Sequence, residues 1–296
     1  MLHRRQWTAP DTPTSAQLNG VTVAGGRAYA AGNRGVLLER AGGAWVRVLG
    51  DGVAGEARGL LAVAPTDDGA RLWICGPRGA LGYYDTDSGT VTDCSEPYGL
   101  DSILRTLSVD GAAGAEAVHV GDDRGRITRL TVDGQEATVR GVAVPGPNEP
   151  ITELRTADGL LFAADTTGRI HQSNDGRTWR TDHLGSGAVT ALAVDADGLL
   201  AATRDGTVYT GIRSFRSPPD RLAPLPEGVR PSAADGRGHT AVVVGRNGGL
   251  LARGRDPGFQ RVGVESPAGL YAVTIAPDGA VYAVGAEGVI VEGRVA

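Results

Sequence analysis

Apolar and polar residues alternate along this chain in short runs, and each run is cut by a turn rich in Gly, Asp or Asn. A period of two puts successive side chains on opposite faces of a strand, so the pattern predicts many short strands and argues against helices. The stretch Tyr29–Val48, YAAGNRGVLLERAGGAWVRV, shows the unit: an alternating segment, a Gly turn, a second alternating segment, then Gly and an aromatic. Its outline returns in AGNRGVLL, CGPRGALG, VGDDRGRIT, ADTTGRIH, ATRDGTVY, VGRNGGLL and VGAEGVIV. The turn glycines of these pieces are Gly35, Gly79, Gly125, Gly168, Gly206, Gly248 and Gly288, spaced 38 to 46 residues apart.

A repeat of about 40–45 residues holding several strands is the signature of a propeller blade. The expected fold class is therefore all-β: one seven-bladed β-propeller of four-stranded blades spanning residues 1–296. In the fourth blade the strands are predicted near Ile151–Arg155, Leu160–Ala164, Arg169–Ser173 and Thr178–Asp182. Second strands such as AVVVG and LFAAD are almost continuously apolar, as strands covered on both faces should be. The last unit is short, with only Gly293–Ala296 left after its third strand. Trp7 precedes Leu18 by the same 11 residues that separate Trp179 from Thr190. Residues 3–8 are thus predicted to form the outer strand of the last blade and close the ring, which removes two unpaired sheet edges.

Composition narrows the function classes. A net charge of −5 argues against a general nucleic-acid binder. No apolar run is long enough for a membrane span, and the N-terminus has no signal-peptide core, so a cytoplasmic monomer is expected. Cys75 and Cys94 suffice for neither a disulfide framework nor a metal knuckle. The histidines show no zinc-binding spacing, and DTDSG at Asp85–Gly89 lacks the later residues of a calcium loop. Neither cofactor nor metal is expected.

SNDGRTW at Ser173–Trp179 resembles the Asp-box of BNR-repeat propellers, and the recurring turn pieces are similar to those of propellers related to photosystem II assembly and stability factors. The resemblance implies a structural role for Ser173, Asp175, Gly176 and Trp179, the polar pair closing a hairpin and the indole packing between sheets. Only the fourth blade carries the full box. Such propellers serve as hydrolases, receptors and assembly factors, so the resemblance specifies a fold and leaves the activity open.

No catalytic constellation is legible. Tyr83, Tyr84, Tyr98 and Tyr209 are available to a sialidase-like chemistry, with Glu96 near Tyr98, but an arginine triad motif is missing. What survives is a set of arginines beside the turn glycines: Arg34, Arg78, Arg124, Arg204 and Arg246. Turns between second and third strands share one face of a propeller, so these guanidiniums should rim that face and could grip carboxylates or phosphates bidentately. Asp122, Asp123, Asp205 and Glu287 share the same turns, and charges 10 Å apart in water interact by only ~0.4 kcal/mol, so the rim would also be tolerated without a ligand. In the fifth blade YTGIRSFRSPPDR replaces the usual outer strand, and Arg213, Phe215 and Arg216 make it the most interface-like stretch. The expected function is a non-enzymatic scaffold for protein–protein interaction or complex assembly, with a protein partner that presents an acidic surface. The alternatives are a sialidase-like glycoside hydrolase or lyase acting in the central channel, and a glycan-binding attachment module.

Overall fold

The computed structural model describes residues 7–99, 101–157, 159–185, 187–212, 220–222, 224–256, 258–262 and 268–295. Its innermost strands, one per blade and called A, are Leu18–Ala24, Ala62–Pro65, Leu104–Asp110, Ile151–Ala157, Val189–Asp195, Pro231–Arg237 and Leu270–Ile275. Each A strand packs beside the next, and Leu270–Ile275 returns to Leu18–Ala24, which completes a ring of seven antiparallel sheets. Six sheets hold four strands in sequence order, A to D from the axis outward, and the seventh holds three. The chain is a seven-bladed β-propeller.

The seventh sheet gains its outer partner from the other end of the chain. Thr8 N–H donates to the Glu292 carbonyl at 2.9 Å, and Glu292 N–H donates back at 2.8 Å. Residues 3–6 of the predicted closing strand lie outside the described residues; Trp7 and Thr8 occupy its place. The Trp7 ring lies flat on Gly293, where any Cβ would overlap it. The Glu292 carboxylate reaches across to blade 1, accepting from Arg40 Nε at 2.7 Å, Arg40 Nη2 at 3.1 Å and Trp45 Nε1 at 2.6 Å.

All seven A strands share one register. Six of them bulge at their second residue, namely Asn19, Arg105, Thr152, Thr190, Ser232 and Tyr271. An extra residue on the inner strand sharpens its bend and turns that side chain toward the next blade. Asn19 Nδ2, Thr152 Oγ1 and Ser232 Oγ accordingly donate to a carbonyl at or just before the start of the following blade's A strand, at Leu60 (2.8 Å), Val189 (2.8 Å) and Leu270 (2.6 Å). Ion pairs buried between blades do the same farther out. Arg71 of blade 2 meets Glu116 of blade 3 at 3.0 Å with Trp73 Nε1 on the same oxygen, and Arg253 of blade 6 meets Asp195 of blade 5.

The B strands are closed to solvent from both sides, as in Leu72–Cys75 and Val242–Val244. The turn glycines of the first and last repeats have two reasons to be glycine. Gly35 and Gly288 hold φ of 67° and 75°, a region that Cβ disfavours. The crossover to the next blade also lies directly on the turn: a Cβ on Gly35 would overlap Gly52, and one on Gly288 would overlap the Thr14 carbonyl.

His119, on the B strand Ala117–Asp122, packs beneath Gly176 of blade 4, and its Nδ1 has no hydrogen-bond partner. Burial, reinforced by the nearby Arg129, pushes its pKa down to about 4. The unfolded chain takes up this proton from about pH 6.5 downward whereas the folded chain waits until about 4. Stability therefore falls across that window, by on the order of 3 kcal/mol for this group. Denaturant melts between pH 7 and 4 should show the loss in the parent and a flatter profile in His119→Gln; identical profiles would contradict this assignment.

Candidate functional site

The A strand of each blade runs from the crossover face to the A–B turn, and B returns, so the B–C turns and the crossovers share one face. Arg34, Arg78, Arg124, Arg204 and Arg246 all stand on that face with exposed side chains. Arg34 and Arg204 make no ion pair with any described residue. Arg78 lies 3.8 Å from the exposed Glu56, Arg124 meets Asp101 at 2.5 Å, and the Arg246 guanidinium sits 5.5 Å over the Tyr271 ring. Asp122 and Asp205 of the same turns hold the backbone. Asp122 is buried, accepting Arg126 Nε at 2.5 Å and the Arg124 and Arg126 amides at 2.9 Å. Asp205 accepts Thr203 Oγ1 at 2.5 Å and the Thr207 amide at 3.2 Å, bonds that hold its carboxyl below the usual range. The arginines thus project beyond carboxylates already engaged in their own turns.

Arg34 and Arg78 carry a further mark. Both have φ of 60°, in the left-handed region that ordinary residues avoid at a cost of about 1–2 kcal/mol. Glu287 fills the equivalent position of blade 7 with φ of 56°.

The remaining singled-out residues have local roles. Ser173 Oγ accepts the Gly176 amide at 2.9 Å, and Asp175 Oδ1 accepts the Arg177 and Thr178 amides, each at 2.8 Å. Those amide bonds hold the Asp175 carboxyl down at about 2. Trp179 is half-buried against the Ile151–Leu154 cluster. His171 bridges Thr181 Oγ1 at 2.8 Å and Asp165 at 3.3 Å. Its ring is fully buried, so this relay ties the third and fourth strands to the B–C turn. Asp85 accepts Ser88 N–H and Ser88 Oγ at 2.8 Å and closes a hairpin. Among the described residues no group of His, Cys, Asp and Glu is placed to hold a metal. Arg213, Phe215 and Arg216 lie outside the described residues, and Arg221, beyond them, is exposed on a two-residue outer strand.

A second site was not anticipated from the sequence. On the opposite face a cavity of about 590 Å³ opens into the channel between the A–B turns Gly25–Gly26 and Asp67–Gly69 and Pro277. The shared register puts the fifth A-strand residue of every blade, counted in blade 2 from Leu60, at one depth. That belt consists of three hydroxyls (Thr22, Ser108, Thr274), two methyls (Ala64, Ala193) and two charges, Arg155 and Asp235. All but Ala193 line the cavity. At the third position, where the other blades have Gly20, Ala62, Thr106, Ala191, Ala233 and Ala272, blade 4 carries Glu153, 3.1 Å from Arg155. Asp235 Oδ2 accepts the Ile275 amide at 2.7 Å. Burial raises the pKa of both carboxyls, against the pull of Arg155.

No family model and no curated protein matches the chain. Solved structures do match along nearly its whole length. A streptogramin B lyase aligns with a TM-score of 0.81 at 14% identity, covering 98% of each chain. Virginiamycin B lyase from Staphylococcus aureus, in a catalytically inactive form with quinupristin, aligns at 0.83 and 11%, covering 98% of this chain and 99% of that one. YCF48 bound to D1 peptide aligns at 0.75 and 17%, covering 98% and 97%. At these identities the shared property is the seven-bladed fold, which in one set carries a lyase and in another a peptide-bound protein.

Relief of backbone strain gives a direct check on the rim. Arg34→Gly and Arg78→Gly should each raise unfolding free energy by about 0.5–1 kcal/mol, the released strain exceeding the added flexibility of the unfolded chain. A loss of stability on both substitutions, measured by denaturant unfolding, would show that these side chains serve the fold.

Proposed function

We propose that the protein is a non-enzymatic propeller scaffold that binds a protein partner through its B–C face, gripping acidic groups with the arginine rim. The observation that carries this reading is the conformation of Arg34 and Arg78. An exposed side chain kept at a position that strains the backbone, unpaired with any described residue at Arg34 and only 3.8 Å from the exposed Glu56 at Arg78, is expected where the guanidinium meets something outside the chain. Arginine suits that task because its planar fork pairs bidentately with carboxylates. YCF48 bound to D1 peptide offers a precedent for the same fold holding a polypeptide. The Ser173–Trp179 hairpin belongs to the frame in this reading, as an Asp-box would, and the whole chain acts as one domain.

A second reading, a hydrolase or lyase acting in the channel, is favoured by the pairing of Glu153 and Asp235 about Arg155. Two neighbouring carboxyls with raised pKa, one of them lining a cavity, are a recognised mark of acid–base chemistry. Against it stands Arg155, which keeps Glu153 engaged in an ion pair.

The readings separate in one experiment. Native lysate is passed over the parent and over the triple variant Arg34→Glu/Arg78→Glu/Arg246→Glu. Glu287 shows that the turn accepts glutamate at this φ, so the variant should fold. A partner retained by the parent and lost about tenfold or more by the folded variant is the expected result. Equal capture by both proteins would remove the rim from the interface.

A further inference from the structure

The channel belt contains an opposed pair of charges that do not meet. Arg155 and Asp235 stand at the same depth on blades 4 and 6, separated only by the small Ala193 of blade 5. Arg155 spends Nη1 on Glu153 at 3.1 Å and on its neighbouring Leu154 carbonyl at 3.1 Å. Its Nε and Nη2 make no hydrogen bond with any described residue, although Arg155 lines the cavity. Asp235 also lines the cavity and makes no ion pair with any described residue. Asp235 thus feels Arg155 only from beyond ion-pair distance, and the guanidinium, 32% exposed, turns its open edge to the channel, so a ligand that bridges the two would gain a partner for each charge.

We propose that the channel is a binding site for a small zwitterion of the α-amino-acid type, its ammonium held by Asp235 and its carboxylate by the open edge of Arg155. The charges are arranged for it: one acceptor and one bidentate donor at one level, with Thr22, Ser108 and Thr274 supplying hydroxyls around the same ring. Glu153 orients the guanidinium from behind and acts as a positioning residue. Above the belt, toward the mouth, Val23, Pro65, Val109 and Pro277 line the wall and would receive an apolar side chain. The cavity, about 590 Å³, falls within the range of about 300–1,000 Å³ usual for small-molecule sites. Asp67 and Asp68 at the mouth are occupied by the amides of Gly111 and Ala113 at 3.0 and 3.1 Å, so they frame the entrance. This site is on the face opposite the arginine rim, and either can be lost without the other.

The test is calorimetric titration of the full chain with the common amino acids, followed by the two halves of any that bind. For L-leucine the halves are 3-methylbutylamine, which lacks the carboxylate, and 4-methylpentanoate, which lacks the ammonium. The zwitterion should bind, and each half should bind at least about tenfold more weakly. Asp235→Asn and Arg155→Gln should each lose about tenfold or more for the zwitterion, and Arg155→Gln should leave amine binding unchanged. If a variant fails to fold, the comparison of the three ligands on the parent still decides. Absence of binding by every amino acid at millimolar concentration, or an amine that binds as tightly as the zwitterion, would overturn the proposal.

Discussion

Everything in this molecule hangs on closing a ring whose last blade the chain leaves one strand short. Glu292 sits at the joint. Its backbone pairs with Thr8, and its carboxylate holds Arg40 and Trp45 of blade 1. One residue therefore ties the beginning of the chain, its end and the first blade together. The neighbouring Gly293 makes the joint tight, since the Trp7 ring needs the space a side chain would take. Without closure two blades would present open edges, and the seven inner strands would have no reason to keep a common depth.

That common depth is what converts a repeat into a site. Six of the seven A strands bulge at their second residue, and polar side chains at the bulges of blades 1, 4 and 6 stitch to the next blade. Residues in different repeats are thereby held level around the axis. Small and hydroxylated residues dominate the belt, and Arg155 and Asp235 depart from the pattern. On the other face the same construction lifts the B–C turns into a rim, where Asp122 and Asp205 bind backbone amides while the arginines face solvent.

Much of this was legible in the sequence. The alternation, the spacing of Gly35 to Gly288 and the equal offsets of Trp7 and Trp179 point to seven blades and to the joint between the ends of the chain. They do so because each signal is local or periodic. The belt was hidden for the opposite reason. Arg155 and Asp235 lie 80 residues apart, and only the bulge-shifted register shows that they share a level. Glu153 could have been found by aligning the A strands, where its place is taken by Gly, Ala or Thr in every other blade. The left-handed backbone of Arg34 and Arg78 had no signal either, since Arg is not a residue that announces a positive φ. The fifth-blade excursion with Arg213, Phe215 and Arg216 lies outside the described residues and keeps the standing of a sequence expectation.

The closure is the claim on which the rim and the channel both rest, and removing residues 1–8 tests it most directly. That deletion takes away the Trp7 ring and the Thr8 bridge while leaving every other blade intact. Truncating a packed tryptophan alone costs about 3–5 kcal/mol, a large share of the stability of an ordinary domain. The truncated protein should melt well below the parent and unfold at lower denaturant. A truncated chain that melts with the parent would contradict the account, because the ring would then be closed by something other than its own N-terminus.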